Sequence, residues 1–505
     1  MDTDETTPPP HSTNHTSTQH SAGDIVFLSA HELAAKIRAR KLSSVQIFRA
    51  HLTHIRLHNP SLNAVVTLDE ERALVRAEAA DRALATGEIW GALHGVPVTI
   101  KDAFETEGLR TTFGYRFTSH YVPTRNATIV ERLVNAGAIV LGKTNIPEVS
   151  WDWQTKSPIF GRTNNPWNTE CTPGGSTGGG AAAVASGMSP LEIGSDGAGS
   201  IRVPAHFCGV FGLKPTGHLV SGAGHMEIPR GVERGHSALS SFGPLARSVA
   251  DLRLALSIIA GRDERHWDVP PVSLDAQKDS LKNLGERRFA WTGDFGGVPV
   301  TVETRQAFSS LGKRLKERGC HVERTHPPSF DFAGALETCG ELWGAESAAD
   351  MILPLRLATQ AAYMPLFGRG PWTRGFVRGL GFNARGYSQA LRRRDQFILS
   401  LDKFLSNWDA WLCPVASVPA FTHRRTGKRI AVDAAKIPYS QACGTFASIF
   451  NMTEHPVVVI PLAQTQEGLP IGMQLVGARW GDTELLSVAE QLTQLTGGFK
   501  RPPGY

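Results

Sequence analysis

A helical pattern over residues 127–136 runs, after one glycine, into Ala138-Ile-Val-Leu141, a short apolar stretch with no polar break. A strand with one wet face alternates, whereas a strand apolar at every position is covered on both sides. Helix followed by buried strand predicts an α/β architecture with a largely parallel sheet. Val96-Pro-Val-Thr-Ile100 gives a second strand by alternation, with Lys101-Asp102 at its C-terminal end. Pro97 weakens the strand reading, because proline cannot donate to a ladder. Further strands are expected at 289–291, 411–415, 457–460 and 471–476. Helices are expected after the capping boxes Ser29-x-x-Glu32 and Ser43-x-x-Gln46, and at 70–84 and 249–260. Asp482 is expected to cap the last helix.

Three short motifs suggest chemistry and fail on context. Gly137-Ala-Ile-Val-Leu-Gly142-Lys143-Thr144 spells a phosphate-binding loop. Its four middle residues want to be a buried strand, and Pro147 interrupts the helix that should follow. Ser310-x-x-Lys313 has the spacing of a β-lactamase nucleophile but lies in a polar amphipathic helix, with none of the partner motifs elsewhere. Gly174-x-Ser176-x-Gly178 spells a nucleophile elbow, which needs a strand entering and a helix leaving. The residues before it carry Pro166 and Pro173 and no strand pattern. Candidate histidines downstream (His225, His236, His455) have no local pattern that selects one.

A second serine follows in Gly194-Ser-Asp-Gly-Ala-Gly-Ser200-Ile-Arg-Val-Pro204. Small residues just before Ser200 let successive backbone N–H groups converge as an anion nest, the form an oxyanion hole takes. A structural glycine turn around a buried serine is the other reading, and the residues alone leave both standing.

Taken in order, these segments resemble the amidase signature family. The diagnostic stretch is Gly174-Gly-Ser-Thr-Gly-Gly-Gly-Ala-Ala-Ala183, then Gly194 to Ala205, then Phe207-Cys-Gly-Val-Phe-Gly-Leu-Lys-Pro-Thr216. Gly95-Val-Pro-Val-Thr-Ile-Lys-Asp102, Ala136 to Asn145, Gly243 to Asp251 and Gly468 to Gly477 join it, while 265–440 shows little match. The resemblance implies one α/β/α domain around a large mixed β-sheet flanked by helices. It implies a triad of Lys101 as base, Ser176 as bridging serine on a cis peptide, and Ser200 as acyl-forming nucleophile. Backbone groups of Gly197, Ala198 and Gly199 would form the oxyanion hole, with Thr177, Asp196 and Arg202 in support. A serine hydroxyl needs a base to take its proton, and a lysine serves only when burial keeps it neutral. The chain departs from the family at Thr177, where a second serine is usual, and at Ala198, where glycine is usual. An alanine there is strained if the position needs a positive φ.

The rest of the chain bounds the function. Apolar residues are 41% and charged residues 20% of 505, an ordinary globular balance, and a net charge of +5 gives no reason to expect nucleic-acid binding. Six scattered cysteines form no C-x-x-C pair and no zinc-spaced cluster, so reduced thiols, a cytoplasmic setting and no metal or cofactor are expected. Residues 1–22, rich in Ser, Thr, His and Pro, are expected to be a disordered tail without a signal-peptide core, ahead of one domain over 23–505. No apolar run reaches membrane-spanning length. Residues 351–394 carry eight Arg and no Asp, Glu or Lys, among aromatic residues. They read as a basic surface neutralising acidic neighbours, or as an insertion over a binding site. The expected activity is hydrolysis of a small-molecule amide through acyl-Ser200, with esters or carbamates as further substrates. Specificity is expected in 265–440 and around Gly224–Arg230, and the aromatics at 363–382 lean toward apolar or aryl groups. Self-association stays open. The alternatives are a glutaminase subunit of an aminoacyl-tRNA amidotransferase and a non-catalytic binding protein on the same scaffold. Pro147-Glu-Val-Ser-Trp-Asp-Trp153 departs from the sequence usual in the glutaminase branch.

Overall fold

The computed structural model describes residues 22–225, 239–272, 274, 282–349 and 351–505. Residues 1–21 of the expected tail, His236 and most of Gly224–Arg230 lie outside the described residues; Ala22, counted in that tail, instead opens the helix Ala22–Ile25. In chain order the strands begin β1 (Val65–Leu68), β2 (Pro97–Lys101), β3 (Ile139–Thr144), β4 (Lys156–Ser157) and β5 (Gly161–Arg162). Next come β6 (Leu191–Asp196), β7 (Phe211–Lys214), β8 (Ser241–Ala246), β9 (Arg288–Trp291) and β10 (His321–Arg324). The last are β11 (Ala410–Pro414), β12 (Ile430–Val432), β13 (Ala435–Ile437), β14 (Val457–Gln464) and β15 (Pro470–Val476). Eleven of them form one sheet in the order β1-β3-β2-β6-β8-β7-β14-β15-β11-β9-β10, while β4-β5 and β12-β13 stand apart as pairs.

The sheet is mixed, as the family resemblance implied, whereas helix–strand alternation alone pointed to a largely parallel one. Parallel pairing joins β3, β2 and β6 on one side and β10, β9 and β11 on the other. Between them β8, β7, β14 and β15 run antiparallel. Those central strands include β7 and β8, which carry Gly212, Gly243 and Pro244 and show no clean strand period in sequence. The strand expected around Pro97 forms despite the proline. Pro97 is the first residue of an interior strand buried on every residue, where a missing N–H costs least.

The would-be phosphate loop is β3, buried throughout. Lys143 points into the protein, where Nζ donates to Phe104 O, to Thr106 Oγ1 at 2.9 Å and to Thr111 Oγ1 at 3.3 Å. Both capping boxes form, at Ser29/Glu32 and Ser43/Gln46. Asp482 does not cap the last helix. It is the first residue of Asp482–Thr496, and its carboxylate accepts from Thr216 N at 2.8 Å and Thr216 Oγ1 at 2.6 Å.

The helix Gly178–Ala185 is buried at every residue, so it has no polar face to show. Its glycines permit that. A Cβ on Gly179 would stand 2.4 Å from Asn145 N, and one on Gly180 would stand 2.4 Å from Glu192 Cγ. All six cysteines are buried and unpaired. No helix of the described residues is long and apolar enough to cross a membrane.

The Arg-rich region forms the helices Leu353–Phe367 and Pro371–Gly379 and the start of Ala384–Leu405. Arg378 pairs with Glu337 and Glu341, Arg393 with Glu341, and Arg394 with Glu454. Two of these acidic partners lie on the helix Phe332–Ala349. That helix meets Pro371–Gly379 through reciprocal glycines. A Cβ on Gly340 or Gly344 would stand 2.1 Å from Trp372 O or Phe376 O. On the facing helix, a Cβ on Gly375 or Gly379 would stand 2.0 or 2.1 Å from Glu337 O or Glu341 O. The pair Gly340-x-x-x-Gly344 and Gly375-x-x-x-Gly379 went unread in the sequence, although its spacing puts each pair of glycines on one helix face.

Candidate active site

β2 and β6 are parallel neighbours, with Ile100 opposite Ile193, and they end side by side. Lys101 closes β2 and Asp196 closes β6. The carboxyl ends of parallel strands are where α/β sheets hold ligands. A cavity of about 210 Å³ opens there, lined at its base by Ser176, Ser195, Gly197, Ala198 and Ser200.

Lys101 is fully buried. Its Nζ lies 2.7 Å from Ser176 Oγ, 2.9 Å from Ser195 Oγ and 3.4 Å from Ser195 O. Burial lowers the amine from 10.5 to about 7, against the opposing pull of Asp196 and Glu192. Glu192 answers in the other direction. Burial raises its carboxyl to about 7, although Thr144 Oγ1 donates to Oε1 at 2.6 Å. The Lys101 amine is therefore poised to hold or release a proton near neutrality. The Gly175–Ser176 peptide is cis.

Ser200 sits in the turn between β6 and the helix Arg202–Cys208, and it lines the same cavity as Ser176. Its carbonyl accepts from Thr177 N at 3.1 Å, which ties the two serine loops together. Among the described residues no hydrogen bond joins the Ser176 and Ser200 hydroxyls. No strand enters Ser176, so an elbow is absent and only the departing helix Gly178–Ala185 matches that motif.

Asp196 organises the turn. Its carboxylate accepts from Gly199 N at 2.7 Å, Ile201 N at 3.0 Å and Arg202 Nη2 at 2.8 Å. Burial alone would raise this carboxyl, but the Arg202 guanidinium and the backbone donors outweigh it and hold it well below the usual range. Arg202 also donates to Ala447 O at 2.8 Å and to Asn451 Oδ1 at 2.5 Å, so neither buried charge is left bare.

The N–H of Gly199 is thus spent on Asp196, which corrects its expected place among the oxyanion donors. Two indoles fix the neighbouring peptides. Trp153 Nε1 donates to Ala198 O at 2.9 Å and Trp343 Nε1 to Gly197 O at 3.4 Å. In a trans peptide C=O and N–H point opposite ways, so each indole sets the direction of the next N–H. Among the described residues the N–H groups of Gly197 and Ala198 have no acceptor. Ala198 is not at positive φ, and the turn's left-handed residue is Gly199 at φ +100°. The condition under which alanine would be strained there is not met. Thr177 Oγ1 lies 3.4 Å from Ser195 O, and its methyl faces Gly194, where an added Cβ would stand 2.8 Å from it.

Sequence reasoning missed Ser195, which touches Lys101, and gave His225 no role. His225 Nε2 lies 3.1 Å from Ser195 Oγ. It also left the walls unassigned: Trp151, Asp152, Trp153, Trp343, Trp372 and Tyr439 all line the cavity. The available signal was Trp151-Asp-Trp153, a rare aromatic pair a few residues beyond the end of β3. Tyr363, Phe367 and Trp372 bring the Arg-rich helices to the same cavity. That region therefore both neutralises acidic neighbours and covers the site.

A large mixed sheet with a lysine and two serines at its strand ends is the plan of an amidase signature enzyme. The chain belongs to that family: the family model described as Amidase matches residues 46–486, including the stretch 265–440 where the sequence offered little. It is similar to a glutamyl-tRNA(Gln) amidotransferase subunit from Picosynechococcus sp., with 32% identity covering 93% of this chain and 98% of that one. Among solved structures, one described as an amidase aligns at 27% identity with a TM-score of 0.76, covering 93% of this chain and all of the other. A bacterial aryl acylamidase of the amidase signature family shares the fold at a TM-score of 0.81 and 24% identity, covering 95% of this chain and 99% of that one.

Proposed function

We propose that the protein hydrolyses a carboxylic amide through an acyl intermediate on Ser200. One observation carries this reading: a fully buried Lys101 amine, brought to about 7 by burial, lies 2.7 Å from Ser176 Oγ. Ser200 Oγ attacks the carbonyl carbon while its proton passes to Ser176 and the Ser176 proton to Lys101. A hydroxyl both donates and accepts, so Ser176 relays without changing charge. Catalytic hydrogen bonds often tighten only when substrate aligns the nucleophile, which is when the Ser176–Ser200 link closes. The N–H groups of Gly197 and Ala198 receive the oxyanion, each donor contributing roughly 3–4 kcal/mol. The proton returns to the leaving nitrogen, and water then releases the acid by the reverse path. Esters and carbamates present the same carbonyl and are proposed as secondary substrates.

The test uses Ser200→Ala and Lys101→Ala. Both are expected to abolish turnover of a good amide while leaving the melting transition cooperative. Phenylmethylsulfonyl fluoride is expected to add one mass increment to the wild type and none to Ser200→Ala. Near-wild-type turnover by Ser200→Ala would refute the assignment.

A second reading, glutamine hydrolysis within a multi-subunit amidotransferase, is supported by relatives of that description at 31–34% identity over nearly their full length. Against it, Trp151, Trp153 and Trp343 give the cavity apolar walls, and no Lys or Arg among the described lining residues offers a partner to the α-carboxylate of glutamine. Glutamine hydrolysis that appears only on adding amidotransferase partner subunits would favour it.

A further inference from the structure

The cavity's walls are aromatic, yet one of them carries a carboxylate. Asp152 sits between Trp151 and Trp153 and lines the cavity with both. Asp152 Oδ1 accepts from Tyr439 Oη and Oδ2 from Thr426 Oγ1, both neutral donors. The adjoining N–H groups of Trp153 and Gln154 add dipoles and no charge. Among the described residues lining the cavity, Asp152 is the one carboxylate, and none is Lys or Arg. Contrast Asp196, whose charge Arg202 balances at 2.8 Å. A carboxylate that lines an apolar cavity, with no counter-charge among the lining side chains, is costly unless something brings one.

The surrounding rings suit a cation. Trp153 and Tyr439 stand edge to face at 5.8 Å, and Trp151 meets Trp343 at 5.3 Å, nearly perpendicular. Perpendicular pairs leave ring faces turned to different sides, and an aromatic face attracts an ammonium through its quadrupole. Resting on the amide-hydrolase reading of this cavity, we infer that the preferred substrate carries an alkylammonium group, held against Asp152 among these rings. Burial raises the Asp152 carboxyl while its hydroxyl donors oppose the rise. A bound cation favours the ionised form, and by reciprocity the ionised form favours the cation.

Benzylammonium and benzyl alcohol have nearly one shape, both donate hydrogen bonds, and they differ in charge. Tryptophan fluorescence titration at pH 7.5 is expected to show benzylammonium binding about tenfold or more tightly than benzyl alcohol, as a charged hydrogen bond with aromatic contact implies. Phenylacetate is expected not to compete. Asp152→Asn should reduce the preference to below about twofold. Equal binding of the two probes to the wild type, or tighter binding of phenylacetate, overturns the inference whether or not the variant folds. So does a preference that survives in a folded Asp152→Asn protein. In parallel, 4-(aminomethyl)acetanilide should be hydrolysed faster than 4-(hydroxymethyl)acetanilide. Hydrolysis of both at one rate refutes the cation site and leaves the hydrolase standing. Cation-selective binding without hydrolysis of any amide in a broad panel refutes the hydrolase reading instead.

Discussion

Replacing Lys101 by methionine should abolish turnover and yet make the fold relatively more stable as the pH falls. The amine is fully buried, and burial takes it from 10.5 to about 7. Below about pH 7 both folded and unfolded states hold the proton, so folding bears the whole cost of burying it. Between about 7 and 10.5 only the unfolded state stays protonated, so stability rises with pH across that window. At 1.36 kcal/mol per pH unit, the cost is about 4–5 kcal/mol at pH 6 and about 2 kcal/mol at pH 9. Methionine fills similar volume and carries no charge. Ser176 and Ser195 each lose a partner, a penalty of about 1–3 kcal/mol that does not depend on pH. Relative to wild type, Lys101→Met should therefore gain about 2–3 kcal/mol on going from pH 9 to pH 6. Glu192, whose carboxyl burial raises to about 7, shifts in the same sense when its cationic neighbour is removed, so the pair should be repeated in a Glu192→Gln background. Urea unfolding at the two pH values measures the difference. A gap that stays constant with pH would mean that Lys101 keeps an ordinary pKa in the fold, and the base assignment would lose its foundation. The same value predicts that wild-type kcat/KM on a neutral amide rises with pH through about 7 as Lys101 gives up its proton.

Other expectations follow from single contacts. Asp196→Asn leaves Arg202 buried beside a neutral amide and should cost about 3–5 kcal/mol, read as a fall in melting temperature together with lost activity. Ala198→Gly should keep activity within about threefold, since Ala198 is not at positive φ; a large gain would show that the methyl obstructs the turn. Gly344→Ala would drive a Cβ to 2.1 Å from Phe376 O, so the helices must part at a cost of about 1–3 kcal/mol. Trp343 and Trp372 would move with them, and KM for apolar amides should rise more than kcat falls.

The sequence by itself carried the elements whose pattern is local. The capping boxes, the apolar run of β3 and the rejection of a phosphate loop needed only side-chain period and backbone chemistry. The resemblance of the long motifs to the amidase signature family implied that Lys101, Ser176 and Ser200 act together; in the fold Lys101 Nζ lies 2.7 Å from Ser176 Oγ, and Ser176 and Ser200 line one cavity. What stayed hidden depends on partners distant in the chain. β6 has no strand signature, since it buries Glu192 and ends on Ser195 and Asp196, residues spent on the site and not on a hydrophobic face. The mixed sheet arises from antiparallel strands with broken alternation, which only their neighbours define. Gly199 looked like an oxyanion donor until its N–H was found on Asp196, and whether Ala198 bears strain turned on which residue of the turn is left-handed, which proved to be Gly199. Hydrogen-bond direction and pKa are properties of surroundings: Lys101 is an ordinary amine in the chain, and only its burial at the end of β2, 2.7 Å from Ser176, brings it to about 7, which the proposed role as base requires.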